Sequence, residues 1–367
     1  MGLRHALSDL RNSVVARPGF RRFAKAFPLT RGTARGEARA LFDVMAGFVY
    51  SQTLLACVET DVFTFLAEGP RSLEALAGHT GLPREGVERL VRAAASLDLL
   101  EMRPGGAAAL GRLGAAMVGD EGLAAMTRHH RLLYADLTDP MSVLRGEKGA
   151  QLSAFWGYGR DERSDGEPDA YSSLMADTLP MVADEIFAAG ILKRHRKLMD
   201  VGGGEGAFIA EAARRAPKLE LALFDLPAVA ARADERLCDA GLSSRVAIHG
   251  GSFLDDSLPG GADLISLVRI LHDHGDDEVA RLLAACRRAL EPGGTLLIAE
   301  PMAEARGAEP MGEAYFGFYL AAMGRGRPRT LARVSALLRA AGFEAVTPHR
   351  TRIPLIANLV TARAAKS

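Results

Sequence analysis

Between Glu37 and Ala67 the apolar residues Leu41, Met45, Phe48, Leu55, Val58 and Val62 recur mostly at helical spacing. The pattern predicts one long helix or two, apolar on most sides and so packed on each face. The stretch SLEALAGHTGLPREGVERLVRAAASLDLLEM predicts two shorter helices. Ser72 can cap the first, Gly81 ends it, and Pro83 opens the second, which runs to about Ser96. LLEMRPGGAAALGRLG reads as two short strands about Pro104-Gly105-Gly106. Helix, helix, hairpin is the order of a winged helix. The second helix sets Arg84, Arg89 and Arg92 against Glu85 and Glu88, which is no basic stripe. Packing or dimerisation is therefore favoured over binding of nucleic acid. Residues 119–195 read as helices and loops, with FWGYGRDERSDGEPDAY as an irregular link.

From Lys197 the period changes. KLMDVGGGEGAFIAEAARRAP is a strand, a glycine turn and a helix; LELALFDLP is a second strand, after which Pro227 opens a helix. RVAIHGGSF and ADLISLVRIL are the third and fourth strands, the latter followed by a helix from about Asp276 to Leu290. PGGTLLIAEP is the fifth. After a helix from Thr330 to Ala341, FEAVTPHRTRIPLIANLVTAR gives two strands with no room for a helix between them. The alternation predicts an α/β fold with a doubly wound sheet of seven strands, whose last two form an antiparallel hairpin.

A chain of 367 residues, 48% hydrophobic and 25% charged, allows two or three ordinary globular domains. No apolar run reaches the roughly 18–20 residues of a membrane span. The start of the chain lacks the apolar core and cleavage site of a secretory signal. Cys57, Cys238 and Cys286 lie far apart and read as reduced core thiols, which fits a cytoplasmic location. The zero net charge hides an asymmetry. Residues 1–40 hold nine basic side chains (Arg4, Arg11, Arg17, Arg21, Arg22, Lys25, Arg31, Arg35 and Arg39) against Asp9 and Glu37, with Phe20, Phe23 and Phe27 among them. This makes peripheral contact with a membrane one expectation for the arm, and packing on a partner subunit the other.

The glycine loop DVGGGEGAF stands after the first strand, at a helix N-terminus, where nucleotide-like ligands bind. Gly202, Gly204 and Ala207 fit a dinucleotide fingerprint, and Gly202, Gly204 and Gly206 fit a G-x-G-x-G turn; Asp225, about twenty residues on, can take a ribose hydroxyl pair in either case. Asp200 separates the two readings. Before the glycines it would repel a pyrophosphate but attract a sulfonium and an ammonium group. With the Pro292-Gly293-Gly294 turn and the final hairpin, this resembles the class I S-adenosylmethionine-dependent methyltransferases over the whole second half.

DVGGGEGAF, FDLP, GGSF, ILHDHGDDE and EPGGTLLIAEPM, in that order, resemble the small-molecule O-methyltransferases with a winged-helix dimerisation domain. Residues 11–59, and with them almost the full chain, are similar to the bacterial hydroxyneurosporene (demethylspheroidene) O-methyltransferases of carotenoid synthesis. The resemblance implies a homodimer that uses S-adenosylmethionine, no metal and a carotenoid acceptor. It implies His272 as general base, Glu300 as the acid that orients it, Asp273 as a possible second acid and Asp225 on the ribose. Asp200, Gly202, Gly204, Gly206, Leu226, Ser252, Phe253 and Arg269 would complete the cofactor site. The chain departs from the family's pattern in three places. Ser252 and Phe253 follow the two glycines where many members have an acid; Pro328 stands at a family glutamate; and Val268-Arg269 replaces a Lys-Trp pair. The implied divisions are a basic arm (1–36), a winged-helix dimerisation domain (37–118), a helical linker and substrate region (119–195) and the S-adenosylmethionine-binding domain (196–367).

A metal reading of HDHGDDE fails on geometry. His272 and His274 are two apart at a strand end, and Asp276 to Glu278 open the next helix, where acids meet the dipole favourably. His272 stands at the carboxyl end of the fourth strand, where ligands bind in such sheets. A tertiary carotenoid alcohol is a far weaker acid than imidazolium, so the proton would pass to His272 as the oxygen attacks the methyl carbon in line with the sulfur. A neutral histidine near its unperturbed pKa of about 6.5 suits that role. An apolar tunnel for a polyene has candidates in Phe155, Trp156, Tyr158, Tyr171, Met175 and Leu179, and in YFGFYLAAM with Phe316, Tyr319 and Met323. Competing readings are a methyltransferase for a phenol, polyketide or bacteriochlorophyll precursor, a non-catalytic winged-helix regulator, and a dehydrogenase.

Overall fold

The structure, a computed structural model, describes residues 3–147, 149–155 and 168–365. Trp156 and Tyr158 lie outside the described residues, as does the side chain of Tyr171. The chain divides into two compact units, Met1–Asp120 and Glu121–Ser367.

In the first unit, helices Leu3–Val15 and Pro18–Ala26 precede the long helix Arg31–Glu59. Helices Leu73–Thr80 and Arg84–Ser96 lead into strands β1 (Leu100–Met102) and β2 (Ala108–Leu110), which pair antiparallel. The punctuation is the expected one. Ser72 Oγ accepts from the Ala75 N–H at 3.1 Å, and Gly81 ends its helix in the left-handed conformation. Two expectations are corrected. The long helix begins at Arg31, so Arg31, Arg35 and Arg39 ride on it. Although Asp43, Ser51 and Gln52 break the apolar run, an 18-residue window within its 29 residues is apolar enough on average to cross a membrane. Leu41, Phe42, Val44, Met45, Phe48 and Val49 are exposed along it.

The second unit holds β3 (Lys197–Val201), β4 (Glu220–Asp225), β5 (Val246–Gly250), β6 (Ala262–Val268), β7 (Leu290–Glu300), β8 (Phe343–His349) and β9 (Asn358–Ala364). Their order in the sheet is β5-β4-β3-β6-β7-β9-β8, and β9 runs antiparallel to both neighbours. The central strands β3, β4, β6 and β7 are mostly apolar because both faces are covered. Alternate residues serve opposite cores. Met199, Phe224, Ile265 and Ile298 pack with helices Asp276–Ala289 and Leu331–Ala340. Leu198, Leu223, Leu264 and Leu297 pack with helices Pro168–Ala188, Ala207–Arg215 and Pro227–Asp239. Cys57 and Cys286 are core thiols, whereas Cys238 is exposed on its helix, a correction to the reading of all three as buried.

The chain winds outward from β3 through β4 to β5, then returns to β6 on the other side of β3. That reversal leaves a crevice at the carboxyl ends of β3 and β6. The central strands therefore fix the crevice. Ile265, at 0% exposure in the middle of β6, fills its core completely. Ile265→Ala is expected to destabilise the protein by ~2–5 kcal/mol, measured as a lowered urea midpoint. A loss under about 1 kcal/mol would mean that the site collapses around the smaller side chain.

Candidate active site

A cavity of about 360 Å³ opens in this crevice. The glycine turn forms one wall. Gly202 sits at φ +69°, and a Cβ there would come within 2.5 Å of Ile270 Cδ1, so both its backbone angle and its neighbour require glycine. Asp200, Gly202, Gly204, Asp225, Leu226, Ser252, Phe253 and Arg269 line the cavity, together with Met175, Leu179, Met323 and Asp273. Gly206 closes the turn as the N-cap of helix Ala207–Arg215.

The acids at the strand ends are held by different partners. Asp200, 2% exposed, accepts from Ser266 Oγ at 2.5 Å. Burial pushes its pKa up to about 7 against that hydrogen bond, and nearby Asp225 adds to the rise. A cationic ligand group beside it would favour the carboxylate. Asp225 accepts from the Gly204 N–H at 2.8 Å and the Leu226 N–H at 2.7 Å. Burial raises its pKa while these two bonds oppose the rise. Asp225 thus fastens the glycine turn to the end of β4.

β6 ends at Val268, and Arg269 turns the chain in the left-handed region at φ +57°. Its guanidinium donates to Thr178 Oγ1 at 2.7 Å and to the Met175 carbonyl at 2.9 Å. The short turn Leu271–Asp273 follows. His272, 8% exposed, places Nε2 at 3.1 Å from Asp273 Oδ1 and Nδ1 at 3.4 Å from Glu300 Oε2. The imidazole is close to both acids without a well-aligned hydrogen bond: Nδ1, Asp273 Oδ1 and Glu300 Oε1 have no such partner among the described residues. The His272 backbone N–H donates to Glu300 Oε2 at 3.2 Å. Burial opposes the imidazolium, but Asp273 and Glu300 outweigh it and push the pKa up to about 10. This corrects the expectation of a histidine near 6.5. Two carboxylates, one from its own turn and one from β7, keep the ring protonated at neutral pH.

The structure brings most of the expected residues to one crevice and sets others apart. Asp273 and His274 line the cavity and His272 does not, because the Asp273 carboxylate covers its Nε2. Met175, Leu179 and Met323 reach the cavity. Phe155, Phe316 and Tyr319 are not in its lining. Tyr319 packs instead with Leu133, Val143 and Leu152, and its hydroxyl is 2.7 Å from His129 Nε2. Phe155 stacks near His129 at 4.7 Å between ring centres. Ser252, at the place of a family acid, is bonded through its backbone N–H to Asp256 and through Oγ to Asp255. Phe208, Ile270 and Arg325 also line the cavity and were not foreseen. Ile270 lies within the quoted I-L-H-D motif, whereas nothing in the local sequence marks Arg325 beyond its place in a basic loop. Among the described residues no group of three His, Cys, Asp or Glu side chains is arranged to hold a metal ion.

Residues 134–344 match the O-methyltransferase domain family, and residues 42–117 match the O-methyltransferase dimerisation domain. That second match supports the homodimer expected from the sequence. The demethylspheroidene O-methyltransferase of Cereibacter sphaeroides is 46% identical over 94% of this chain and 92% of its own length. That of Rhodobacter capsulatus is 42% identical over 91% and 84%. Among solved structures, human N-acetylserotonin methyltransferase in complex with S-adenosylmethionine aligns at a TM-score of 0.74 and 27% identity, over 90% of this chain and 98% of that one. The glycine turn, the two strand-end acids and these likenesses agree, and the chain belongs to the O-methyltransferase family as an S-adenosylmethionine-dependent O-methyltransferase.

Proposed function

We propose that the acceptor is the tertiary hydroxyl of a 1-hydroxy carotenoid such as hydroxyneurosporene or demethylspheroidene. The observation that carries this reading is the 46% identity, over almost the whole chain, to an enzyme named for demethylspheroidene. The apolar Met175, Leu179, Phe253 and Met323 in the cavity wall are consistent with a hydrocarbon acceptor. Mass spectrometry of products formed from labelled S-adenosylmethionine and candidate acceptors tests it. Methylation of a phenol or polyketide in preference to a hydroxycarotenoid would overturn it.

S-adenosylmethionine, when bound, supplies a methyl carbon already activated by a sulfonium. Asp200 suits its positive groups, Asp225 its ribose hydroxyls, and the backbone of Gly202 to Gly206, with Leu226, Ser252 and Phe253, the rest of the molecule. His272 serves as general base. The acceptor hydroxyl takes the place of the Asp273 carboxylate at Nε2, and the proton passes to the ring as the carbon–oxygen bond forms. Glu300 orients the ring from the Nδ1 side and, with Asp273, stabilises the imidazolium that results. The same two acids make His272 a strong base that must first lose a proton.

The roles divide along the chain as a basic arm (1–36), a dimerisation domain (37–118), a helical region facing the acceptor (119–195) and a cofactor-binding domain (196–367). The location is cytoplasmic, at the periphery of a membrane, because a carotenoid must be collected from a bilayer. Helix Pro18–Ala26 supports this. Arg21, Arg22 and Lys25 lie on it with Phe20 and Phe23, whose ring centres are 6.5 Å apart, and Phe23 stacks on Phe27 at 5.1 Å. Phe23 and Leu29 are exposed. Basic residues near an anionic surface contribute roughly 1 kcal/mol each, and aromatic rings insert at the interface.

Three outcomes are expected. His272→Ala should lower methyl transfer by ~10²–10⁴-fold while S-adenosylmethionine binding, followed by calorimetry, stays nearly intact. Near-normal turnover would remove the base assignment. In the wild type, kcat/KM should climb with pH through neutrality, with its limb nearer 10 than 6.5, because the imidazolium cannot accept a proton. A plateau already complete just above pH 6.5 would count against the clasp of two acids. Cosedimentation with anionic liposomes should fall as salt rises, and fall again when residues 1–35 are removed, since surface charges are screened within ~8 Å at physiological ionic strength. Indifference to such liposomes at low salt would leave the arm to the partner subunit.

A further inference from the structure

Among the described residues the largest wholly buried side chain is an arginine, Arg329, at 2% exposure. It lies in the basic run Arg325-Gly326-Arg327-Pro328-Arg329, which on composition reads as a solvated loop. Its guanidinium instead spans the turn that carries His272. Nη1 donates to the Leu271 carbonyl at 2.5 Å and Nη2 to the His274 carbonyl at 2.6 Å. Nε and Nη2 also reach Asp276 Oδ1, at 3.0 and 2.8 Å. The two carbonyls bracket His272 and Asp273.

The rest of the run fills in between. The Arg327 N–H donates to the His272 carbonyl at 2.9 Å, and Arg325 Nε donates to the Asp273 carbonyl at 3.3 Å. All four carbonyls from Leu271 to His274 are thus received by one five-residue segment. Gly326 allows the approach: it sits at φ +80°, and a Cβ there would stand 2.1 Å from the His272 oxygen. Arg329 is also tied to the other half of the site. Its own carbonyl accepts from the Ala303 N–H at 3.0 Å, three residues beyond the Glu300 that ends β7.

We propose that Arg329 is a positioning residue for His272, fixing the Leu271–His274 turn against the end of β7 so that the imidazole is held between Asp273 and Glu300. The inference rests on the reading of His272 as the base. A rigid planar fork suits the task, because it delivers several fixed donors to separate acceptors where an ammonium would have to choose. Asp276, in the first turn of helix Asp276–Ala289, answers the buried charge and also pairs with Arg327 and Arg333. The charged groups gathered about the imidazole are Asp273 and His274 on its own turn and Glu300 from β7. Arg325 and Arg329 come from the clasping segment, and Asp276 and Glu278 from the helix that follows.

Arg329→Lys keeps the charge and loses the fork. With folding checked by circular dichroism and S-adenosylmethionine binding by calorimetry, kcat on its high-pH plateau should drop about tenfold or more, while KM for S-adenosylmethionine changes less than about threefold. The pH limb of kcat should also move to lower pH, because a ring that leaves its two acids loses the groups that hold its proton. Free guanidinium should restore part of the rate of Arg329→Ala. Should the lysine variant fail to fold, Asp276→Asn loosens the same fork from one side and should shift the limb in the same direction by a smaller amount. The proposal is overturned by a folded Arg329→Lys with wild-type kcat and pH limb, or by a lowered kcat whose limb has not moved; for Asp276→Asn, an unmoved limb overturns it. His272→Ala, run in parallel, separates the two ideas. If that variant is dead and Arg329→Lys is unaffected, the base stands and the positioning role falls; if it remains active, the base assignment falls first.

Discussion

Glu300 ends the longest strand of the sheet with a carboxylate at 0% exposure, and a buried charge is stable only where opposite charge and hydrogen-bond donors answer it. The nearest answer is His272, whose backbone N–H and ring both turn toward Glu300. For this to happen, the chain leaving β6 must fold back over the end of β7. Arg269 makes that bend at φ +57°, with its N–H donating to the Ala299 carbonyl at 2.8 Å. A left-handed non-glycine residue costs roughly 1–3 kcal/mol and persists only where its surroundings insist on it. The two bonds from the Arg269 side chain to Thr178 and Met175 supply part of that insistence.

The same bend sets the cofactor wall. It brings Ile270 against Gly202, close enough that no side chain fits between them, so the glycine turn and the histidine turn are registered to each other by direct packing. The loop that approaches the ligand and the ring that handles the proton cannot drift apart without opening a void. Around them the cavity gathers Asp200, Glu205, Asp225, Asp273 and Glu278 against Arg236, Arg269 and Arg325. A predominance of acid favours a positively charged ligand over a pyrophosphate, the distinction first drawn from Asp200 alone.

Much of this was legible in the sequence because it depends on local pattern. Short apolar runs bounded by turn residues, the Ser72 cap, the Gly81 stop and the glycine turn each act within a few residues of themselves. The acid–base state of His272 was not legible, because it depends on the distance between its ring and a residue 28 positions on, and on how deeply both are buried. That Tyr319 and Phe155 stand outside the cavity lining was not legible for a related reason. An aromatic on a helix has the same sequence signature whether it lines a cavity or, as Tyr319 does, seals a core with His129. Arg329 is the sharpest case. Its neighbours Arg325 and Arg327 share its type and its run, yet only Arg329 is almost wholly enclosed, and nothing in the run distinguishes it.

The long helix Arg31–Glu59 poses the opposite problem, an apolar surface that the single chain does not cover. Its length and hydropathy would suit a bilayer, with Leu41, Phe42, Val44, Met45, Phe48 and Val49 open along it. Its sequence argues otherwise. Ser51, Gln52 and Thr53 interrupt its second half, Tyr50 donates to Asp43 at 3.1 Å, and Leu55, Cys57 and Val58 are already committed to the core of the first unit. A helix in lipid has no use for a face packed in protein on one side and polar groups along its length. A patch of this kind in a folded protein calls for a protein partner. The match of residues 42–117 to the dimerisation domain supports a second copy of the chain as that partner. The basic residues Arg31, Arg35 and Arg39 precede most of the apolar face on the same helix. Three of the arm's nine basic residues and the apolar face thus share one continuous element.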